Sequence, residues 1–382
     1  MAEILLNMVT MPSNYGTSVS LNVSLPNEVL YQMFCDLPLS VLALLARVSH
    51  RLNAVAEHIL YSSISIRDVL SESSPHPWRT KICCESIIQR SHLVESIRGL
   101  HIRWHTDGQS SSAHFDFTFT LQKLAEAVRT LSSLESLELW LGPANHHSQP
   151  SIPHVVEQII RGSHLPQLIS CSLGAEWKKG SAIYSSILDN FLGSLPLLQH
   201  LKLPDQHAAL NVAAGALPVL SSFRGSPIAS AYLLPGRPIH YLSLIGEDYD
   251  VTQEILARFA CTTVPLRFLD LSAMSVRPVI LRNIATHLPA IDALKIRLAL
   301  RHTLHYAMSG IRLLTGLSSV LSLFHQLVHL DLSPTSVGGA DAEQELGLCN
   351  EWSRACPSLE KITFPSHSEW VIGSGRMWLP LQ

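Results

Sequence analysis

The sequence predicts an α/β chain in which a small N-terminal three-helix module is followed by a curved solenoid, with short parallel strands inside and helices outside. Two observations predict this architecture. Three short helical patterns follow one another within residues 25–66. From about Thr80 onward, an apolar triplet spaced L-x-x-L-x-L keeps returning after a helical stretch and a turn. A steady alternation of helix and short strand is typical of repeat proteins.

Composition limits the classes of function. The chain has 382 residues, of which 47% are hydrophobic and 15% charged, as in a folded protein with a sizeable core. The net charge is −3 without basic clusters, which argues against a nucleic-acid or anionic-membrane partner. No apolar run approaches the ~18 residues of a membrane helix, and no basic run precedes residues 4–6, so no signal peptide is expected.

Seven cysteines are present, and the adjacent pair Cys83-Cys84 suits neither a metal knuckle nor a redox CxxC motif. We interpret them as reduced thiols of a protein that resides in the cytoplasm, the nucleus or both.

The N-terminal region divides into a flexible tail over residues 1–20 and a helical module over residues 21–66. Pro26 suits the first turn of a helix, Pro38 ends that helix, and Ser40 and Ser49 can cap the two that follow. The second helix, over residues 41–48, is apolar on more than one face. Because so small a unit can bury only one face of each helix, the remaining apolar surface needs a cover, either a partner protein or the rest of this chain.

This stretch resembles an F-box, the module that docks onto the small Skp-type adaptor of cullin–RING ubiquitin ligases. The matching residues are Leu25, Pro26, Glu28, Leu30, Met33, Phe34, Leu37, Leu42, Leu45, Val48, Arg51, Leu60 and Tyr61. The sequence departs from the family at Leu52 and Tyr61, where tryptophans are frequent, and at Ser49, where a cysteine is frequent. The resemblance implies adaptor-binding contacts at Leu25, Pro26, Leu30, Met33, Phe34, Leu37, Leu42, Leu45 and Val48.

A Ser/Pro-rich linker is expected over residues 67–79, and leucine-rich repeats over residues 80–382. In each copy the two final apolar residues are expected to point into the core, because alternate side chains of a strand face opposite ways. The clearest copies begin at Leu134, Leu198, Leu266 and Leu327, weaker ones at Ile97, Leu168, Ile239, Ile291 and Leu359, and a poor one at Leu220.

Amphipathic helices are predicted between the copies. A conventional α/β domain with a parallel sheet is the alternative architecture; the leucine-rich rather than Val/Ile-rich strands favour the solenoid. The predicted helices span residues 121–131, 155–161, 183–192, 253–259, 279–287, 305–323 and 343–356.

A C-terminal cap is expected from about residue 357, with Trp370 and Trp378 covering the edge of the last repeat. This segment resembles the closing segment of F-box proteins with degenerate leucine-rich repeats, a type expanded in basidiomycete fungi.

The residues between the inward leucines are expected to face outward on the concave side of the sheet, where exposed aromatic and charged side chains suit protein binding. Lysines and arginines do not cluster on this predicted face, which disfavours recognition of a phosphate. The target-binding candidates are Glu138, Trp140, His200, Lys202, Tyr241, Phe268, Asp270, His329 and Asp331, and Ser136, Ser243 and Lys295 are expected on the same face.

No motif of catalysis is apparent: the sequence has no GxSxG, no HExxH, no paired CxxC and no GxGxxG. The pairs His101/His105 and His302/His305 are attributed to chance among 20 histidines, and His146-His147 to a polar loop. We therefore expect no enzyme activity, no cofactor and no metal.

The sequence favours a substrate-receptor subunit of an SCF-type ubiquitin ligase, whose F-box docks on the adaptor and whose repeats bind an unknown target protein. The alternative is a leucine-rich-repeat scaffold that binds protein partners without a ligase. A hydrolase or transferase on an α/β domain ranks last, because it lacks a nucleophile or a phosphate motif.

Overall fold

The computed structural model divides into two compact units, one ending at Leu60 and the other beginning at Tyr61. The predicted tail 1–20 and the pairs His146-His147 and His302/His305 lie outside the described residues. The described residues are 25–107, 117–145, 153–176, 183–299, 314, 316–337, 341–373 and 375–381.

The first unit is a set of three helices: α1 (Asn27–Cys35), α2 (Leu39–Leu45) and α3 (His50–Leu60). Pro26 and Pro38 stand directly before α1 and α2, where the missing N–H of proline costs nothing. Ser40 lies inside α2, so the prediction that it caps this helix is wrong. The Ser49 hydroxyl accepts a hydrogen bond from the Leu52 N–H at 3.2 Å, as predicted for a cap.

The second unit contains one sheet whose thirteen described strands lie side by side in the order of the sequence. Neighbouring strands from β1 to β11 are parallel, and the last two strands are added antiparallel. The strands are β1 (Ser63–Leu70), β2 (Gly99–Thr106), β3 (Ser136–Trp140), β4 (Ser170–Gly174), β5 (His200–Leu203), β6 (Ser222–Gly225), β7 (Tyr241–Leu244), β8 (Phe268–Val276), β9 (Ala293–Leu298), β10 (His329–Asp331), β11 (Lys361–Thr363), β12 (Glu369–Ile372) and β13 (Trp378–Leu381).

The strands are held in a register that stacks the apolar residues of successive repeats. Leu137 of β3, for example, lies between Leu100 of β2 and Cys171 of β4, and all three are at most 1% exposed. Burying a leucine completely stabilises a protein by about 1.5–3 kcal/mol. The stacked apolar residues join the helices in a single hydrophobic core, so each repeat buries its apolar face against the next.

Helices follow most of the strands, close to where the sequence predicts them. The predicted helix 253–259 matches the observed one to the residue, whereas much of the predicted helix 305–323 lies outside the described residues. The helices of the second unit are α4 (Trp78–Gln89), α5 (Ser91–Val94), α6 (Thr118–Thr130), α7 (Val155–Ile160), α8 (Ser186–Gly193), α9 (Pro227–Leu233), α10 (Gln253–Phe259), α11 (Pro278–His287), α12 (Ser318–Leu321) and α13 (Ala342–Ala355).

The strand order decides between the two predicted architectures. A doubly wound α/β domain reverses its strand order within the sheet, whereas here every strand pairs with the strands before and after it in the chain. The leucine-rich-repeat solenoid is confirmed. All ten predicted copies form strands, from β2 to β11, including the poor copy at Leu220, which precedes β6.

The start of the sheet differs from the expected linker 67–79 and the expected module boundary at residue 66. The strand β1 runs through residues 63–70, because its alternating Ser-Ile-Ser-Ile pattern gives it one apolar face. Asp68 is buried in this strand and accepts hydrogen bonds from the Thr80 N–H at 3.0 Å and the Thr80 hydroxyl at 2.6 Å. The carboxylate thereby anchors the first turn of α4 to the first strand.

The C-terminal hairpin β12–β13 extends the sheet by antiparallel pairing. Trp370 and Trp378, the predicted covering residues, are 4% and 5% exposed. The Trp370 indole N–H donates to the Glu345 carboxylate of α13 at 2.8 Å, which ties the hairpin to the last helix.

An irregular segment joins β5 to β6, and Arg237 fixes it in place. The buried guanidinium donates to the carbonyl oxygens of Val212, Ala213 and Ala216 at 3.3, 3.0 and 3.1 Å. Burial lowers the pKa of Arg237. Because its acceptors are neutral carbonyls, the arginine acts as a structural clamp on the segment that joins β5 to β6.

Candidate functional site

The predicted adaptor-binding residues of the first unit divide into buried and exposed groups. Leu30, Phe34 and Leu42 are 7%, 1% and 1% exposed and form the core of the unit with Val55 and Ala56. These three side chains have no free face in the structure, so their expected role as direct contacts is corrected to that of core residues. They hold the three helices of the unit together.

Other predicted contacts remain accessible. Leu25 is 40% and Val48 66% exposed, and Pro26 is exposed as well. Met33, Leu37 and Leu45 are half-buried and pack against the edge of the core.

Four accessible apolar residues of the first unit were not among the predicted contacts. Leu39 and Leu44 of α2 are 67% and 63% exposed. Leu39 and Leu44 could have been predicted from the sequence, because the second helix is apolar on more than one face. Val29 and Tyr31 of α1 add further exposed apolar surface, at 38% and 39%.

Arg51, a residue on which the F-box resemblance rests, connects the beginnings of two helices. Its guanidinium donates to the Asn27 side-chain carbonyl at 2.9 Å and to the backbone carbonyl of Leu25. This connection holds the exposed Leu25-Pro26 pair against α3.

The face of the sheet opposite the leucine core is here called the open face. It is formed by the residues that alternate with the buried apolar rows, and the register places them in two main rows across the strands. One row contains Ser136, His200, Tyr241, Phe268 and His329, the other contains Glu138, Lys202, Asp270 and Asp331, and Trp140 lies two residues beyond Glu138 along β3.

Most of the predicted target-binding residues are accessible on the open face, but one is not. Asp270 is 6% exposed and accepts a hydrogen bond from the Ser243 hydroxyl at 3.0 Å; Ser243 itself is 1% exposed. The expectation that these two side chains face a partner is corrected. They form a buried polar pair next to the stacked rings of Tyr241 and Phe268, which are paired two residues earlier on the same strands and whose centroids are 4.6 Å apart.

Basic side chains do cluster on part of the open face, contrary to the prediction. Arg103, His105, Lys202 and Arg224 line one shallow cavity of about 280 Å³, together with Glu138 and Trp140. The repeat pattern does not indicate this cluster, because Arg103 follows the apolar triplet of its copy and Arg224 belongs to the poor copy. The register brings both arginines into the same region as Lys202.

The far half of the open face has a different electrostatic character. Lys295 pairs with Asp331 at 2.9 Å and Lys361 with Glu369 at 2.9 Å, so each of these two lysines has a carboxylate partner. His329 lies between these pairs; burial, together with the positive charge of Lys361, lowers its pKa below the ordinary 6.5.

Three further properties of the described residues bear on function: metal ligands, membrane-spanning helices and cysteine thiols. Within the ranges given above, no three His, Cys, Asp or Glu side chains converge as metal ligands. In the same ranges, no helix has the length and apolarity needed to cross a membrane. The seven cysteines are free, and burial raises the pKa of Cys83 to about 11 and that of Cys349 to about 12, which keeps both thiols protonated.

Comparisons with known proteins find likeness in structure alone. No protein-family model matches the chain, and no curated protein matches it. An internalin (inlF) from Listeria monocytogenes is 16% identical with a TM-score of 0.38, covering 84% of this chain and 86% of its own. The leucine-rich repeat-containing protein LegL7 from Legionella pneumophila is 15% identical with a TM-score of 0.41, covering 83% and 92%.

A third similar structure is that of the Rad7 and Elc1 complex in yeast, at 11% identity and a TM-score of 0.35, covering 88% of this chain and 87% of that one. All three TM-scores are low, so the solenoid assignment rests on strand order and register.

Proposed function

We propose that this protein is the substrate-receptor subunit of an SCF-type ubiquitin ligase. In this proposal the three-helix unit is an F-box that docks on a Skp-type adaptor, and the open face of the repeats binds the target protein. The protein would hold its target for ubiquitin transfer and would have no catalytic activity of its own. Its seven free cysteines support a place in the cytoplasm or the nucleus.

The observation that carries the proposal is the apolar surface that the first unit leaves uncovered. Leu39, Leu44 and Val48 are each more than 60% exposed, although the unit has its own core. Exposed apolar surface on so small a unit is typical of a protein–protein interface. The F-box resemblance identifies the partner as a Skp-type adaptor.

Co-purification from cells that co-express the chain with a Skp-type adaptor tests the docking role. The variant Leu44→Asp places a charge on the exposed surface and should keep the unit folded. We expect it to weaken adaptor binding by about 30- to 1000-fold, since truncating a central contact costs about 2–4 kcal/mol. The matched control is Val279→Asp on α11 of the repeat unit, where Val279 is 51% exposed, and it should co-purify normally.

A core variant separates docking from folding. Phe34→Ala should lose adaptor binding only through unfolding of the module, visible as a loss of helical circular dichroism, whereas Leu44→Asp should retain that signal. Co-purification of Leu44→Asp and of Leu25→Ala/Pro26→Ala at the wild-type level would refute the docking surface.

The alternative is a protein-binding scaffold that acts without a ligase. The observation that favours it is that the repeat unit has a core of its own and a charged open face. Under this alternative, partner proteins are captured by the repeat unit while no adaptor is recovered from the same cells.

A further inference from the structure

The helix α4, near the start of the repeat unit, exposes large apolar side chains. Trp78 and Ile82 of α4 are 49% and 60% exposed, and Phe119 of α6 is 51% exposed. The ammonium of Lys81 lies 4.9 Å from the ring centroids of both Trp78 and Phe119, so the two rings are close neighbours. These four residues are here called the α4 patch. Because tryptophan is enriched among the residues that dominate protein binding, the α4 patch indicates an interface.

Opposite charges stand at equal distances from Ile82 along α4. Arg79 is three residues before it and exposed, and Glu85 is three residues after it and half-buried. Side chains three residues apart are neighbours on a helix, so the three form one ridge. Neither Arg79 nor Glu85 forms an ion pair with a residue that the structure describes.

Lys81 is the cation best placed to pair with Glu85 inside the chain, since it lies four residues before it on the same helix. Its ammonium is directed onto the two aromatic rings instead. The carboxylate of Glu85 therefore stays available to a cation from another molecule, as the guanidinium of Arg79 does to a carboxylate.

The ridge of α4 is complementary to itself. When two copies of α4 lie antiparallel around a two-fold axis at Ile82, Arg79 of each copy faces Glu85 of the other, because both are three residues from the axis. Two ion pairs then flank a contact between the two Ile82 side chains. Two-fold interfaces use the same surface on both subunits in this way. A different partner protein would not require opposite charges placed symmetrically about Ile82.

Ser86 suits the position opposite Trp78 in this pairing, since the two residues are four positions after and before Ile82. Serine is small, and the Ser86 hydroxyl already donates to the Ile82 carbonyl at 2.8 Å. A tryptophan ring that covers it leaves this donor paired, so the contact avoids the cost of a buried unpaired hydroxyl.

We propose that α4 forms the interface of a homodimer, in which two copies of this chain pair antiparallel around Ile82. Burial of Trp78, Ile82 and Phe119 provides most of the binding free energy, and the charges of Arg79 and Glu85 set the orientation. The dimer does not depend on the ligase role. It presents two open faces, so a target with two binding segments is held more tightly than by one chain.

Sedimentation velocity of the full-length chain from about 1 to about 100 µM tests the dimer, because a contact of one helix per chain is small and such contacts are weak. The sedimentation coefficient should rise from that of one chain to that of two. Ile82→Asp should weaken dimerisation by about 30-fold or more. The matched control is Val279→Asp on α11, where Val279 is 51% exposed, and it should dimerise normally.

A charge exchange tests the two-fold geometry. Arg79→Glu and Glu85→Arg should each weaken the dimer by about tenfold, since each places two pairs of like charges across the axis. The double variant Arg79→Glu/Glu85→Arg should recover most of this loss, because both ion pairs form again with their signs reversed.

Three outcomes would overturn the proposal. The chain remains single at about 100 µM with normal helical circular dichroism, the dimer is weakened by neither Ile82→Asp nor Arg79→Glu, or the double variant is no better than the two single ones. The second outcome would place the contact on another surface, and the third would exclude the antiparallel pairing.

The adaptor assay keeps the dimer separate from the ligase role. Ile82→Asp should co-purify with the adaptor as the wild type does, and Leu44→Asp, which alters the exposed surface of the first unit, should still dimerise. Loss of adaptor binding by Ile82→Asp would assign the α4 patch to the adaptor and overturn the dimer. An intact dimer that binds no adaptor would contradict the ligase role alone.

Discussion

Glu345 shows how single buried charges hold the repeat unit together. It is 3% exposed and accepts hydrogen bonds from the hydroxyls of Ser366 and Ser368, both at 2.5 Å, and from the Trp370 indole at 2.8 Å. Ser366 and Ser368 lie just before β12, and Trp370 lies within it. The carboxylate therefore fixes the hairpin to α13.

The substitution Glu345→Gln should lower the free energy of unfolding by about 1–3 kcal/mol, because it replaces a buried charged acceptor of three hydrogen bonds with a neutral amide. Urea denaturation followed by circular dichroism measures the change. Glu343→Gln, an exposed position in the first turn of the same helix, is the control and should be neutral. Equal stabilities of the two variants would show that the carboxylate has no such role.

His329 makes stability depend on pH. Its pKa in the folded protein lies below the ordinary 6.5 because of burial and then the charge of Lys361. The unfolded chain consequently binds more protons than the folded one between the two pKa values, and stability falls as the pH drops below about 6.5. Replacing His329 by Gln should flatten the stability profile between about pH 7 and pH 5. Parallel profiles of the variant and the wild type would contradict this assignment.

Some residue roles could not be predicted from the sequence. The alternation of strand residues correctly places Glu138 and Trp140 on the open face. The F-box pattern, in contrast, marks apolar positions without separating those that fill the core, such as Phe34, from those that face outward. Asp270 is buried beside Ser243, whose hydroxyl donates to it from the neighbouring strand, a tertiary arrangement that no local pattern encodes.

At the scale of the strands, β6 shows how a poor repeat copy can still join the sheet. Phe223 occupies the first inward position, and Gly225 occupies the second, where the two neighbouring strands have Leu203 and Leu244. A Cβ atom at Gly225 would lie 2.6 Å from Cζ of Phe223. The phenylalanine ring therefore fills the space of the missing leucine, and the two departures from the pattern compensate each other.

This compensation predicts that restoring the repeat pattern at one position is harmful. Gly225→Leu should destabilise the protein by about 1–3 kcal/mol through overpacking. The double variant Phe223→Leu/Gly225→Leu should recover part of this loss, with a coupling energy of about 1 kcal/mol or more in a double-mutant cycle by urea denaturation. Strictly additive effects would show that the two side chains do not share the space.

The first strand of the sheet shows which strands the repeat pattern cannot predict. The ten L-x-x-L-x-L copies predict ten strands because leucines recur at fixed spacing. The strand β1 has no such triplet, and the sequence predicts the end of the module and the linker at its position. Its pairing with β2 over eight residues depends on a neighbour some 36 positions further along the chain (Ser63 with Gly99).

At the scale of the whole molecule, the two units have separate hydrophobic cores and different surfaces. The first unit exposes apolar side chains, whereas the open face of the second presents charged and aromatic ones. An apolar surface is typical of a stable subunit contact, and a polar one of a selective and reversible contact. This division is what a receptor that links an adaptor to a changing set of targets requires.

Isothermal titration of the purified full-length chain with a purified Skp-type adaptor tests the central claim most directly. The account predicts one adaptor per chain and a dissociation constant of about 1 µM or tighter, equivalent to about −8 kcal/mol. It also predicts that Leu44→Asp abolishes the heat of binding and that Val279→Asp does not. Absence of binding at adaptor concentrations far above 1 µM, with both proteins folded by circular dichroism, would contradict the account.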